Sequence, residues 1–320
     1  MITREEFYAK CDELQTPEDV KYILEQHKKL KRNKRIFIAI FLAIEIILNI
    51  FLYNLDASTY FLLLACVIFP ASLLALIIGL VVISSNNQTD TSKKLKLKHS
   101  PEVINILLKD YQHSFSPNEY ISQSVFKSSP FNSYYEDYTG EDLLSIHIPN
   151  DDGTPSKVVL HASDIEATYT EEYEDSEGNT KTRTVTAYRG LFGYVHFPFK
   201  FKCNLGLNCY SGKVKKIELE DMNFNKKFKT YTDDQLEAVV ILTPTLMVKL
   251  LEFNERNIGF KCFLDKKGKL YFGITTNLFE TNYPKPNESF YEIFRHFYND
   301  IKTILEIVEE IKTNNKTFKM

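Results

Sequence analysis

Two apolar runs constrain this chain before anything else. Residues 36–55 read IFIAIFLAIEIILNIFLYNL, and residues 60–84 read YFLLLACVIFPASLLALIIGLVVIS. Each supplies the roughly 20 residues that a helix needs to cross about 30 Å of hydrocarbon. Only DAST (56–59) separates them, enough for a tight turn. The pair predicts a transmembrane helical hairpin over residues 36–85. Glu45 sits near the middle of the first run, where an acidic residue costs roughly 3 kcal/mol. The surrounding Ile, Leu and Phe residues return about 0.3 to 0.6 kcal/mol each, which outweighs it.

Orientation follows from the basic residues. HKKLKRNKR precedes the first run, SKKLKLKH follows the second, and the DAST loop has no Lys or Arg. The positive-inside rule then puts both termini in the cytoplasm, making a multi-pass protein of the cytoplasmic (inner) membrane with the lipid bilayer as its first partner. The expected organisation is an N-terminal helical segment (1–35), the hairpin (36–85), a polar linker (86–98) and a cytosolic domain (99–320). Acidic residues outnumber basic ones after residue 98, which argues against nucleic acid as a partner. The five cysteines, Cys11, Cys66, Cys203, Cys209 and Cys262, form no CxxC pair. They read as free thiols, and no metal or cofactor is expected.

Beyond residue 99 the patterning alternates between sheet and helix. KVVLHASDIEATYTEEY alternates with a phase shift between Ala162 and Ile165, EDSEGNT supplies a turn, and KTRTVTAYRGLFGYVHFPFKF returns. The result is a long hairpin with a charged tip. FKCFLDKKGKLYFGITT is a second hairpin turning at Lys267-Gly268. The C-terminal segment carries Phe290, Phe294, Phe297, Ile301, Ile304, Val308 and Ile311 on one helical stripe. Its first half is expected to pack on the sheet and its later, more charged half to project. The fold class is therefore α+β: an antiparallel sheet domain with packed helices behind the membrane hairpin.

YTDDQLEAVVILTPTLMVKLLEF (231–253) reads as helix on both sides of a proline. A proline disfavours helical geometry at the residue before it, so the first helix ends near Leu242. Thr243 caps a second helix with Pro244 at its first position. Thr243 and Pro244 are thus a helix-break signature, better explained as a corner than as a site.

This stretch extends upstream into LEDMNFNKKFKTYTDDQLEAVVILTPTLMVKLLEF. It resembles a bacterial membrane-associated family catalogued as domain of unknown function 3137, whose members share an LED-x-x-F-x-x-x-F-x-x-Y run, D-Q-x-E-A and I-L-T-P. SVFKSSPFNSYYEDYTGEDLL and YRGLFGYVHFPFKF fit the same family, so the resemblance runs from about residue 99 onward. The chain departs from it at Ala238-Val239-Val240, where Ala-Arg-Tyr is common, and in having no Trp. The resemblance implies membrane association, no established activity, and a LemA-like membrane protein as a candidate partner.

Glu45 and Asn49 lie one turn apart and are the candidates for an intramembrane polar contact, with Ser72 or with a second copy by self-association. Asp142, His147, His161, Asp164, His196, Glu220 and Asp221 are the pocket candidates: carboxylates and imidazoles in or near strands that folding could bring together. The bland alternative for each is a turn, a cap or a structural histidine. No nucleophile elbow, phosphate loop or dinucleotide fingerprint occurs. The function expected is a non-catalytic module that binds a protein or the membrane. The alternatives are a hydrolase-like enzyme with an unrecognised acidic/histidine site, or a regulatory module holding a small ligand between the sheet and the Thr-Pro helices.

Overall fold

The hairpin at 159–196 organises everything else. In a computed structural model, which describes residues 1–13, 18–52, 88–131, 133–150, 156–176, 178–257, 259–275, 278–279 and 294–317, it forms the two longest strands. β1 (His113–Ser116), β2 (Asp137–His147), β3 (Val159–Glu174) and β4 (Thr180–His196) are followed by β5 (Leu205–Leu207), β6 (Lys215–Ile217), β7 (Thr230–Thr232), β8 (Lys261–Leu264) and β9 (Lys269–Gly273). They make one sheet in the order β1-β2-β3-β4-β9-β8-β5-β7-β6, with each neighbouring pair antiparallel. The α+β class with a large antiparallel sheet holds.

The helices are α1 (Arg4–Glu13), α2 (Glu18–Leu52), α3 (Gln88–Leu107), α4 (Gln123–Lys127), α5 (Met222–Lys227), α6 (Gln235–Ile241), α7 (Pro244–Arg256) and α8 (Arg295–Thr317). The chain divides into two units. The first is Met1–Glu13, His99–Thr281 and Phe294–Met320; the second is Leu14–Lys98 and Asn282–Ile293. The sheet, α1 and α4 to α8 belong to the first unit.

One sheet face is sealed by helices. Leu205, Leu207, Cys262, Leu264, Leu270 and Phe272 meet Leu242 and Ile241 of the α6 end, Leu246 and Leu250 of α7, and Ile304 and Val308 of α8. The other face is covered near its middle by the 121–138 segment. There Phe126 and Phe131 pack on Ile165, Ala167, Tyr188 and Phe192, with the Phe126 and Phe192 rings edge to face at 5.1 Å. Ala162, Ser163, Asp164 and Ile165 are all buried in succession; they pair with β4 without a break, while the β2 register shift at Glu141/Leu144 falls opposite Ala162 and Asp164. Where both faces are covered, alternation disappears. The irregularity expected between Ala162 and Ile165 is present in the β2–β3 ladder, with the extra residue on β2, and a second register shift lies at Ala167/Thr168.

The C-terminal stripe is core along the helix. Phe294, Phe297, Ile301, Ile304, Val308 and Ile311 are all buried; Phe290 lies outside the described residues. The later half does not project. Ile311 and Lys312 are buried, and the Lys312 ammonium donates to the Pro149 carbonyl. The N-terminal helix also docks on this unit: Ile2, Phe7 and Cys11 are buried. Phe7 stacks on Tyr298 at 5.7 Å, whose hydroxyl donates to the Ile2 carbonyl at 3.1 Å.

The transmembrane hairpin is not supported. No helix among the described residues is long and apolar enough to cross a membrane. The first run is the end of α2, whose earlier half carries Lys28, Lys29, Lys31, Arg32, Lys34 and Arg35. The second run, with Ser72, lies outside the described residues. The expected multi-pass placement in the inner membrane, with cytoplasmic termini, loses its support with the hairpin.

Because Phe7 is fully buried against the C-terminal helix, Phe7→Ala should destabilise the first unit by about 3 to 5 kcal/mol. Denaturant unfolding of the full chain measures it; an unchanged midpoint would mean that α1 is not part of this core.

Candidate functional site

The sheet register lines up one transverse row of side chains across all nine strands. Ser114, Ser145, His161, Tyr194, Tyr271, Phe263, Gly206, Tyr231 and Lys216 are successive direct partners. Directly paired residues share a face, so this row lies on the face that the 121–138 segment covers in part. Its Ser145–His161–Tyr194 portion is half-buried. The Ser145 hydroxyl and His161 Nδ1 are 2.8 Å apart, and the His161 ring stacks on Tyr194 at 4.8 Å.

His147 is two residues from Ser145 on the same face, opposite Val159. His196 follows Val195, the partner of Leu160, so it stands on the same face on the other side of Val159. Folding therefore brings His147, His161 and His196 to one end of one sheet face. It does not make them a metal centre: among the described residues no group of three His, Cys, Asp or Glu is placed to hold an ion. Burial, and next the neighbouring His147, lower the His161 pKa. Burial, and next Tyr271, raise that of Tyr194. At neutral pH this is a neutral imidazole hydrogen-bonded to a serine and stacked on a phenol, a surface suited to planar or hydrogen-bonding groups.

The carboxylate candidates do not join it. Asp164 is buried and accepts the backbone N–H groups of Leu278 at 3.0 Å and Phe279 at 3.1 Å, anchoring the segment after β9. Asp142 is fully buried at the β2 irregularity, with φ +65, and its N–H donates to the Pro117 carbonyl. Asp221 caps α5, accepting from Asn223 and Phe224 N–H. Glu220 beside it is exposed. Glu45 and Asn49 lie within α2, but their side chains fall outside the described ones.

The Thr-Pro corner divides α6 from α7. Asp234 caps α6, and Thr243 Oγ1 accepts the Leu246 N–H at 3.2 Å with Pro244 opening α7. Thr243 also donates to Glu310 of α8 at 3.3 Å. The enclosed space between the sheet and these helices is about 30 Å³ and wholly apolar in its lining, room for one water-sized guest at most. Burial also keeps the nearby thiols protonated, pushing Cys203 up to about 11 and Cys209 up to about 12.

What sequence reasoning passed over is the outer half of the β3–β4 hairpin. Its length was legible in the alternation, but its independence of the rest of the sheet was not. β2 meets β3 only as far as Thr168, and β9 meets β4 only from Phe192. Beyond those points the two strands form a free-standing arm, with Glu171 bonded to Arg183 and the Arg183 guanidinium over Tyr173 at 5.5 Å.

The family comparison fits this geometry from the middle of β4 onward. Residues 186–313 match the model of a family described as Protein of unknown function (DUF3137). The chain carries a DUF3137 domain. The DUF3137 region runs from β4 through α8 and includes His196, Glu220, Asp221, Thr243 and Pro244. Asp142, His147, His161 and Asp164 lie outside it, and so do β1 to β3. No curated protein and no solved structure matches the chain.

A lowered His161 pKa means that the unfolded chain takes up a proton more readily than the folded one. Stability is then full above the ordinary histidine range, near 6.5, and declines as pH falls through the lower folded value. His161→Gln should flatten the fall in melting temperature between pH 7 and pH 5; an identical fall in both proteins would count against this assignment. Thr243→Ala should remove a cap worth about 1 kcal/mol, read as a lower denaturation midpoint.

Proposed function

We propose that this protein is a non-catalytic protein-binding module that recruits its partner through the β3–β4 arm. The observation that carries this reading is the arm itself. Its strands are ordered but almost wholly exposed from Thr170 to Thr184. Beyond Thr170, whose N–H is taken by Glu136, neither outer edge pairs with another strand among the described residues, the arrangement onto which another strand adds. Contacts from the segment before β2 stiffen the base of the arm in advance, with Tyr134 edge-on to Tyr169 at 5.7 Å and the Glu136 carboxylate accepting the Thr170 N–H at 3.0 Å. Stiffness of this kind lowers the ordering cost of association. The resemblance supplies a LemA-like protein as one partner to try. A spanning hairpin is not carried forward, because no helix among the described residues is long and apolar enough to cross a membrane.

Replacing residues 171–183 with Asn-Gly, a two-residue hairpin turn, tests the reading. Photo-crosslinking from position 184 in cells should trap a protein on the full-length arm and none on the shortened one, at equal melting temperature. The same adduct on both would sink the reading.

A further inference from the structure

Among the described residues, no strand pairs with the arm's outer β4 edge from Thr180 to Gly190. β9 pairing ends at Phe192↔Gly273, with one further bond from Ile274 N–H to the Leu191 carbonyl. Its sequence, TKTRTVTA over 180–187, is ordered in a particular way. Thr180, Thr182, Thr184 and Thr186 point to one face. Lys181 and Arg183 occupy the N-terminal half of the other face and Val185 follows them, since successive side chains alternate; regular alternation ends at Thr186, because the register shift at Ala167/Thr168 leaves Ala187 as an extra residue.

Resting on the reading of the arm as a binding element, we infer that its occupant is a second copy of this chain, paired β4 to β4 with Thr184 on the two-fold axis. An antiparallel strand pair related by that axis reverses the order of residues. Thr182 then faces Thr186 of the other copy and Arg183 faces Val185, the pairing ending where Ala187 interrupts the regular strand. Threonine opposite threonine is a favourable cross-strand pair, and no two like charges stand directly opposite. Neighbouring registers lack this property: an axis on Thr182 sets Arg183 against Lys181, and an axis on Arg183 sets that residue against itself. The basic residues that would otherwise guard an exposed edge are thus confined to positions where one register escapes them.

Pairing the acidic outer edge of β3 with the basic edge of β4 would be attractive too. It is head-to-tail, however, and leaves an edge open at each end, so it propagates. The β4–β4 pair closes. It also retains the internal pairing of Arg183 with Glu171 and of Lys181 with Asp175. The result is a four-stranded ribbon, β3-β4-β4-β3, joining two sheets.

The test uses the purified full chain. Thr184→Cys places two thiols across the axis with Cα atoms about 4.5 to 5.5 Å apart, inside the disulfide range of about 4.4 to 6.8 Å. Mild oxidation should give a covalent dimer. Thr170→Cys, its exposed neighbour on β3, sits about 14 Å from its mate across three strand spacings and should give none. By sedimentation equilibrium the parent should be a dimer. Thr184→Lys, which loses no contact within the chain but opposes its own charge at the axis, should weaken dimerisation about tenfold or more with the melting temperature unchanged. A monomeric parent, open-ended assemblies, or a dimer that Thr184→Cys does not cross-link overturns the inference. A monomeric parent whose arm still traps a different protein would leave the protein-binding reading standing and remove only the second copy.

Discussion

The pairing of β3 with β4 carries the rest of the structure. It runs from Leu160↔Val195 to Glu174↔Thr180 and places these strands between the β1–β2 pair and the five shorter strands from β9 to β6. At its base the ribbon is covered on both faces. Tyr188, Phe192 and Ile165 lie under Phe126 and Phe131 on one side, and the helices seal the sheet's other face. At its far end the turn is closed by Asp175, which accepts the Asn179 N–H, and Gly178 supplies the positive φ of 81° that glycine adopts at little cost. One continuous pairing is therefore buried core at one end and exposed arm at the other.

Much of this was legible in the chain, and the reasons differ by element. The two hairpins announce themselves because alternation and turn residues act locally: Lys267-Gly268 turns β8 into β9, with Gly268 at φ +91. The Thr243-Pro244 corner is legible for the same reason, since capping and proline sterics need only neighbouring residues. Burial on both faces is not local. It erased the alternation at residues 162–165, so the irregularity opposite them falls on β2 at Glu141/Leu144, and the one at Ala167/Thr168 left no mark in the pattern. The docking of α1 depends on Phe7 finding Tyr298 from the other end of the chain, which no window of sequence contains.

The largest error came from treating apolar length as sufficient. Residues 36–52 continue a helix whose first half is basic, and no described helix meets the length and apolarity of a span. For the site, the imidazoles do share one face because strand parity puts them there, but the carboxylates are spent on caps and anchors. Asp164 holds Leu278 and Phe279, and Asp221 holds the start of α5. Those roles use the same chemistry, hydrogen bonds to backbone N–H groups, that the acidic short motifs left open.

The account stands on the base of the β3–β4 ribbon being sealed on both faces. Hydrogen exchange at the β3 and β4 amides of residues 160–167 and 191–195, followed against denaturant, tests that directly. Amides that open only with the whole unit should show an exchange free energy and a denaturant slope equal to those of global unfolding. Exchange through small local openings, insensitive to denaturant, would mean that the ribbon's base is not the core described here.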